Sequence, residues 1–220
     1  MARLLARRTH ELTLYREGCR AVAGADEAGR GCLAGPVTAA AVILHPDRPL
    51  AGLADSKLLT ARQREALFAC ITAEAVSWAV VSVPVSEIDR INIHQASLLA
   101  MRQALDALRP APDAVLVDGF LIPHLPWRQQ AIIKGDQSCA VIAAASIVAK
   151  VTRDRLMCAL HDADARYGFD RHKGYGTAAH LRALQVHGRS AHHRRSFLPK
   201  ALMAEPQHAL PPDGAGTGGR

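Results

Sequence analysis

"AGADEAGRGCLAGPVTAAAVIL", residues 23–44, contains two apolar runs separated by a short turn that is rich in glycine. The first run leads into the adjacent acids Asp26 and Glu27, and the second is rich in valine and alanine. Pro36 stands at the start of the second run, where a strand tolerates a missing N–H. We therefore predict strands over 19–26 and 36–44. The turn between them is too short for a parallel crossover, so the two strands should pair antiparallel.

The rest of the chain alternates between strand and helix patterns. Apolar runs predict further strands over 77–85 and 114–119 and within 129–137. Thr60 and Gln63 form a capping-box pattern before a helix that ends near residue 75. Helical spacing predicts further helices over 93–108, about 138–163 and 177–187. This order favours an α/β fold in which helices surround a mixed sheet.

Composition narrows the class of protein. The 220 residues suit one domain, and a net charge of +7 favours a polyanionic partner over a merely soluble basic surface. The five cysteines show no C-x-x-C spacing, so neither a disulfide framework nor a structural zinc site is indicated. The longest uncharged apolar run, 139–149, is too short to span a bilayer. We expect a cytoplasmic protein without membrane association, with a helical or loose lead-in over 1–18, a catalytic domain over 19–200 and a disordered tail over 201–220.

Three of the predicted strands end in acidic residues. The first strand ends at the pair Asp26 and Glu27, the fourth ends with Asp118, and the fifth ends with Asp136. A charged side chain beside a buried strand is costly unless it is paired or binds a metal. Carboxylates that converge would suit two Mg²⁺ or Mn²⁺ ions, which can activate water against a phosphodiester. Each acid alone equally fits a helix or turn cap, and Asp136 in particular precedes a predicted helix.

The glycine turn allows two interpretations. Residues 29–34 match the loose G-x-G-x-x-[GA] pattern of dinucleotide-binding proteins, which would make the chain a nucleotide-dependent oxidoreductase. That pattern requires a helix directly after it, whereas residues 36–44 favour a strand. The other interpretation is a backbone that closely approaches a ligand, with Arg30 beside that ligand.

Seven segments of the chain, in order, form a pattern that is more specific than any one short motif. Besides residues 23–44, they are "LADSKLLTARQREAL", "INIHQASLLAMRQAL", "VLVDG", "IIKGDQSCAVIAAASIVAKVTRDRLM", "HKGYGTAAHL" and "HHRRSF". Together they resemble the type 2 ribonuclease H family, in particular its bacterial ribonuclease HII branch. The resemblance covers roughly residues 20–200 and implies a ribonuclease H-like fold, with a five-stranded mixed sheet flanked by helices and a helical C-terminal part.

The resemblance also implies an enzyme. Members of the family are endonucleases that hydrolyse RNA paired with DNA and cut on the 5′ side of a ribonucleotide embedded in duplex DNA, leaving a 5′-phosphate and a 3′-hydroxyl. The expected partners are therefore RNA–DNA hybrids and ribonucleotide-containing duplex DNA, bound by a monomer. A non-catalytic hybrid-binding module of the same fold is the alternative. The family's catalytic and metal-binding acids, which hold two Mn²⁺ or Mg²⁺ ions, fall on Asp26, Glu27, Asp118 and Asp136.

Substrate contacts carry over in the same way. The family's Gly-Arg-Gly turn, which contacts the ribose 2′-hydroxyl, falls on Gly29, Arg30 and Gly31. Its junction tyrosine, which packs against the neighbouring deoxyribose, falls on Tyr175, although a core aromatic would fit the same position.

Further basic and hydroxyl residues are candidates for phosphate contact. Ser146, Lys150 and Arg153 share one helical face by their spacing, and a solvated face would show the same pattern. Ser56, Lys57, Arg194 and Arg195 are similar candidates. His187, His192 and His193 lack a nearby cysteine or acid for zinc, so we expect them to form a basic or junction-binding surface.

Overall fold

A five-stranded mixed sheet runs through the computed structural model, which describes residues 8–54 and 56–197. The strand order is β3-β2-β1-β4-β5; β1 pairs antiparallel with β2 and β2 with β3, while β4 runs parallel to both β1 and β5. The predicted mixed sheet is confirmed. A strand also occupies most of 36–44, so the helix that the oxidoreductase interpretation requires is not there. The strands are β1 Val22–Ala28, β2 Val37–Ile43, β3 Ser77–Val83, β4 Ala114–Asp118 and β5 Arg128–Ile132.

Helices flank this sheet and build the C-terminal part. The capping box predicted at Thr60 and Gln63 is present at the start of α2. Three short helices have no counterpart among the predictions, because segments of four to seven residues carry too little periodicity to be recognised. The helices are α1 Thr9–Arg16, α2 Ala61–Glu74, α3 Val85–Ile91, α4 Ile93–Asp106, α5 Gly135–Ser138, α6 Ala140–Ala163, α7 Phe169–His172 and α8 Ala178–His187.

Strand β1 begins and ends later than predicted. The expected range was 19–26, but the ladder to β2 continues through Asp26 and Glu27 to the pair of Ala28 with Thr38. Both acids therefore lie within the strand instead of at its predicted end, and their side chains are fixed by the strand geometry.

One helix packs on each face of the sheet. Alternate strand residues, such as Val22 and Leu116, face the buried first half of α6, while Ala23 and Val115 face α4. The uncharged run 139–149 forms this buried half of α6, as a core helix rather than a membrane span. No helix within the described residues is both long and apolar enough to cross a membrane.

The backbones of β1 and α6 approach each other closely at Gly24. A Cβ atom at this position would lie 2.2 Å from the carbonyl carbon of Val141. Only glycine allows this approach, which sets the distance between the strand that carries Asp26 and the helix that carries Ser146 and Lys150.

The N-terminal lead-in is part of the fold where it is described. Leu14 of α1 is buried, and the fully buried carboxylate of Glu11 accepts a hydrogen bond of 2.9 Å from the N–H of Val141. This carboxylate lies at the positive end of the α6 dipole, where an anion is stabilising. The predicted disordered tail over 201–220 lies outside the described residues.

A small third cluster joins the glycine turn to the C-terminal helices. Ala34 of the turn packs with Met157, Tyr167, Phe169 and Leu184. Ala34 also forms an isolated antiparallel bridge with His193 in the segment after α8. The C-terminal part of the chain thus packs against the turn that follows β1 and stabilises it.

Candidate active site

A cavity of about 220 Å³ lies at the end of β1 and β4, and most of the residues singled out from the sequence line it. Larger cavities of about 430, 510 and 550 Å³ lie elsewhere, and none of these three is lined by a group of carboxylates. A further cavity of about 360 Å³ is lined by Glu65, Asp154 and Asp162, but Glu65 pairs with Arg155 and Asp154 with Lys150. The small cavity is lined by Asp26, Glu27, Ala28, Gly29, Arg30, Gly31, Ser56, Lys57, Asp118, Ser146, Lys150 and Tyr175.

Sheet register brings the acids together. Ala25 of β1 pairs with Val117 of the parallel strand β4, so Asp26 and Asp118 follow at the same level of the sheet. Asp136, which is buried, belongs to α5 and does not line the cavity, but its neighbour Gly135 donates a 2.7 Å hydrogen bond from its N–H to Asp118 Oδ1. Three predicted acids therefore share the cavity, and the fourth stands directly behind Asp118.

These carboxylates raise one another's affinity for protons. Burial, with the charges of Glu27 and Asp118 added, raises the pKa of Asp26 well above its ordinary value. Burial also raises the pKa of Glu27 and of Asp118, although Arg30 partly offsets the effect on Glu27 and the Gly135 N–H partly offsets the effect on Asp118. Such a group of buried acids is unfavourable unless a cation balances it.

Basic side chains of the chain itself contact the acids in this structure. Arg30 Nη1 lies 3.3 Å from Glu27 Oε1, and Lys57 Nζ lies 3.2 Å from Asp136 Oδ2. Across residues 8–54 and 56–197, no three His, Cys, Asp or Glu side chains lie close enough together to hold a metal ion as they stand. The donor set nevertheless fits a hard divalent cation, because it consists of carboxylate oxygens, and burial together with neighbouring acids raises the pKa of Asp26 and of Asp118.

Arg30 is held by two residues that the sequence interpretation missed. Its Nη2 lies 3.2 Å from His94 Nδ1, and its guanidinium carbon lies 5.2 Å from the centre of the Phe120 ring. His94 and Phe120 also contact each other edge to face, at 5.4 Å between ring centres. Phe120 is 49% exposed, and an exposed aromatic side chain two residues after Asp118 was the available signal.

Tyr175 stands at the rim of the cavity and is not a core aromatic. It is 43% exposed, and Lys150 Nζ lies 5.9 Å from the centre of its ring. Burial of the hydroxyl end and the neighbouring Cys32 thiol raise the pKa of Tyr175. Lys150 itself pairs with Asp154 at 2.6 Å, one turn farther along α6. The ring is therefore available to a ligand in the cavity.

Two serines form the floor of the cavity on the α6 side. The hydroxyls of Ser56 and Ser146 are both buried and lie 3.0 Å apart. The Ser146 hydroxyl also hydrogen-bonds Asp26 and lowers the pKa of that carboxyl, in opposition to burial. The face of α6 that carries Ser146 thus points inward, which corrects the alternative of a solvated helix face.

The prediction that Arg153 and Arg194 contact phosphate is wrong in this structure. Both side chains are fully buried. Within the described residues, their guanidinium groups donate only to backbone carbonyls of the glycine turn, of Pro36 directly after it and of Lys173. Arg195 is exposed, and its backbone N–H donates to Asp89.

The predicted histidine surface is also corrected at His193. This side chain is buried, and its Nε2 lies 3.0 Å from Nε2 of the buried His180. Burial, together with the proximity of His180, lowers the pKa of His193 to about 4. A neutral, buried imidazole cannot contribute to a basic surface, whereas His187 is exposed and His192 is partly exposed.

The chain is similar to proteins named ribonuclease HII. The family model "Ribonuclease HII" matches residues 23–200. The Ribonuclease HII of Ralstonia pickettii is 54% identical over 194 residues, which cover 87% of this chain and 84% of that protein. The Ribonuclease HII of Paracidovorax citrulli is 58% identical over 184 residues, which cover 84% of this chain and 77% of that protein.

Solved structures share the fold. The ribonuclease H2 of Pyrococcus horikoshii OT3 superposes with a TM-score of 0.69 at 27% identity, covering 81% of this chain and 94% of that chain. The ribonuclease HII in a PCNA complex from Archaeoglobus fulgidus gives a TM-score of 0.70 at 26% identity, covering 82% and 96%. Bst-RNase HIII, solved with Mn²⁺, gives a TM-score of 0.68 at 21% identity, covering 90% and 74%, which supports the fold alone.

Proposed function

The chain belongs to the ribonuclease HII family, and we propose that its cavity is the active site of a metal-dependent endoribonuclease. The enzyme would hydrolyse the RNA strand of RNA–DNA hybrids and would also cut on the 5′ side of a ribonucleotide embedded in duplex DNA. The products would carry a 5′-phosphate and a 3′-hydroxyl, as required for ribonucleotide removal during DNA replication and repair.

One observation carries the proposal. The carboxylates of Asp26, Glu27 and Asp118 line the same cavity as the glycine turn and Tyr175. A site for hydrolysis and a site for reading the sugar are therefore a few residues apart. A hybrid-binding module without activity would have no use for acids whose burial is this unfavourable.

Asp26, Glu27, Asp118 and Asp136 would hold the metal, as two Mg²⁺ or Mn²⁺ ions in the catalytic complex. When bound, such ions supply an activated water and stabilise the leaving oxygen of the phosphodiester. The chain's own part is to hold the four acids rigidly. Asp118 is oriented by the Gly135 N–H, and Asp26 Oδ1 accepts from the N–H of Glu27 at 2.7 Å.

Selection of the substrate would come from the turn and the rim. Backbone groups of Gly29, Arg30 and Gly31 would contact the 2′-hydroxyl, the feature that distinguishes RNA from DNA at a given site. Tyr175 would pack against the next deoxyribose, and Lys150 beside it would contact the backbone phosphate. Lys57, which is 79% exposed in its side chain, and the hydroxyls of Ser56 and Ser146 would complete the contacts.

The same function predicts where and how the protein acts. We propose that it works as a cytoplasmic monomer on hybrid and ribonucleotide-containing duplexes. A homologue from Archaeoglobus fulgidus was solved in complex with PCNA, which makes a sliding clamp a reasonable partner to test.

The decisive assay compares three duplexes of one sequence: all DNA, DNA with a single ribonucleotide, and a long RNA–DNA hybrid. We expect cleavage of the second and third with Mg²⁺ or Mn²⁺, and no cleavage of the first or of any duplex with chelator. Equal cleavage of the all-DNA duplex would refute the proposal that the enzyme recognises the 2′-hydroxyl.

Asp118→Asn separates the enzyme from a binding module. Asparagine can still accept from Gly135 but supplies no charge for a cation, so cleavage should be lost while duplex binding remains. Cleavage by this variant at the wild-type rate would contradict the assignment of the metal site.

A further inference from the structure

Two arginines lie fully buried beneath the glycine turn, and neither pairs with a carboxylate of the described residues. Arg153 comes from α6 and Arg194 from the segment after α8. Within the described part of the chain, no carboxylate forms an ion pair with either guanidinium. A buried cation without an anion is costly, and apolar side chains often serve stability as well or better. Stability alone therefore does not explain this pair.

Arg194 fixes the orientation of the turn. Its guanidinium donates to the carbonyls of Gly29 at 2.7 Å, Arg30 at 2.8 Å and Gly35 at 3.0 Å. In a trans peptide the C=O and N–H of one unit point in opposite directions. Because the carbonyls of residues 29 and 30 point down to Arg194, the N–H groups of Arg30 and Gly31 face away from it.

Those two N–H groups are available to a ligand. No backbone acceptor within residues 8–54 and 56–197 takes the N–H of Arg30 or of Gly31. Both residues line the cavity, and Gly31 is exposed. By binding the two carbonyls, the buried guanidinium of Arg194 orients the N–H groups of Arg30 and Gly31 toward the cavity.

Arg153 joins the turn to the segment that carries Tyr175. It donates to Ala34 O at 3.0 Å and Pro36 O at 2.9 Å on one side, and to Lys173 O at 2.9 Å on the other. The two segments are also in direct contact, since the N–H of Leu33 donates to Gly174 O at 2.8 Å.

We propose that Arg153 and Arg194 are positioning residues that lock the glycine turn and the Tyr175 segment into one rigid unit. The 2′-hydroxyl of a ribonucleotide and the deoxyribose beside it are then read together, as a junction, and not as two independent features. This inference rests on the proposed function. A guanidinium is needed for it, because its five donors lie in one plane, whereas the lysine ammonium is a single compact donor group.

Arg194→Lys and Arg153→Lys test the proposal, with Arg155→Lys as the matched control on the same helix. Arg155 is exposed and pairs with Glu65, so its replacement leaves the unit intact. The assay is steady-state cleavage of a duplex with a single embedded ribonucleotide and of a long RNA–DNA hybrid, in the presence of Mg²⁺.

For Arg194→Lys and Arg153→Lys we expect kcat/KM on the embedded ribonucleotide to fall about tenfold more than on the long hybrid, which corresponds to about 1.4 kcal/mol. The loss should lie mainly in KM, with kcat at saturation within about threefold of wild type, because the acids stay in place. Unchanged kinetics on both substrates, or an equal loss on both, would overturn the proposal.

The wild-type reactions separate this inference from the proposed function. If the wild-type protein cleaves neither substrate, the proposed function falls. If it cleaves both and the lysine variants keep the wild-type ratio of kcat/KM values, the function stands and the positioning role falls.

A second measurement uses only the wild-type protein and does not depend on how the variants fold. The N–H of Leu33 donates to Gly174 O, the N–H of Gly35 to His192 O and the N–H of Arg194 to Leu33 O, so these three hydrogen bonds join the turn to the Tyr175 segment and to the segment after α8. In a rigid unit they should exchange with deuterium through one shared opening, with protection factors within about threefold of one another. A spread of more than about tenfold would show that the segments open independently, and the proposal would be wrong.

Discussion

Replacing Gly24 by alanine would insert a methyl group between β1 and α6, where the two backbones are too close for any side chain. The new Cβ would lie 2.2 Å from the carbonyl carbon, and 2.3 Å from the carbonyl oxygen, of Val141, and 2.5 Å from the nitrogen of Ile142. All three are backbone atoms, so no side-chain rotation can relieve the overlap.

The structure sets the size of the effect. Ordinary contact of a Cβ begins at about 3.4 Å, so helix and strand must separate by about 1 Å. Overpacking of a core costs about 1–3 kcal/mol, and we expect the upper end of this range because backbone has to move. The same shift separates Asp26 from Ser146 across the site, and a misplacement of about 1 Å can cost about 100-fold in rate.

Urea unfolding and single-turnover cleavage measure the two effects. Gly176→Ala is the stability control, since its Cβ would meet only the flexible end of Leu33, at 3.2 Å. A Gly24→Ala protein within 0.5 kcal/mol of wild type and with the wild-type rate would show that β1 and α6 are not packed as described.

Three further predictions concern charge and the site's rim. Burial and neighbouring acids raise the pKa of Asp26 in the folded state, so the metal-free protein loses stability as pH rises through that pKa. The increase in Tm on adding Mg²⁺ should therefore become larger as pH rises. This increase should be absent in Asp26→Asn. Burial lowers the pKa of His193 to about 4, so the free energy of unfolding should fall by about 3 kcal/mol as pH falls from about 6.5 to 4. Urea unfolding in the presence of Mg²⁺ measures this loss, which should be smaller in His193→Asn. Phe120→Ala removes the ring beneath Arg30 and should raise KM about threefold with little change in kcat.

A specific result would contradict each of these three predictions. A Mg²⁺-induced increase in Tm that does not change as pH rises would mean that protonation of the acids is not coupled to cation binding. Equal acid sensitivity of wild type and His193→Asn would mean that His193 titrates as an exposed imidazole. A Phe120→Ala variant that loses kcat but keeps KM would place the ring in the chemical step instead of in binding.

The strands and their acids could be predicted because the evidence for them is local. The valine- and alanine-rich runs, the capping box at Thr60 and the acid at the end of β4 are each visible within about ten residues. The antiparallel pairing of β1 with β2 follows from the length of the turn alone. The family resemblance then supplied the sheet and the grouping of the acids.

The direction of a side chain could not be predicted in the same way. Arg153 and Arg194 are the residue type expected at a phosphate-binding surface, yet both point into the protein, because backbone carbonyls distant in sequence accept hydrogen bonds from their guanidinium groups. His193 is buried for a similar reason, through His180 thirteen positions away. His94 and Phe120 gain significance only because both contact Arg30.

Glu11 shows that a residue outside the matched family model helps to hold the fold. The family model matches residues 23–200, but the carboxylate of Glu11 accepts a hydrogen bond from the N–H of Val141 near the start of α6. The helix that carries Ser146 and Lys150 into the site is thus secured by a residue outside that match. A shortened protein that began at residue 23 would keep every proposed catalytic acid and still lose the anchor of its central helix.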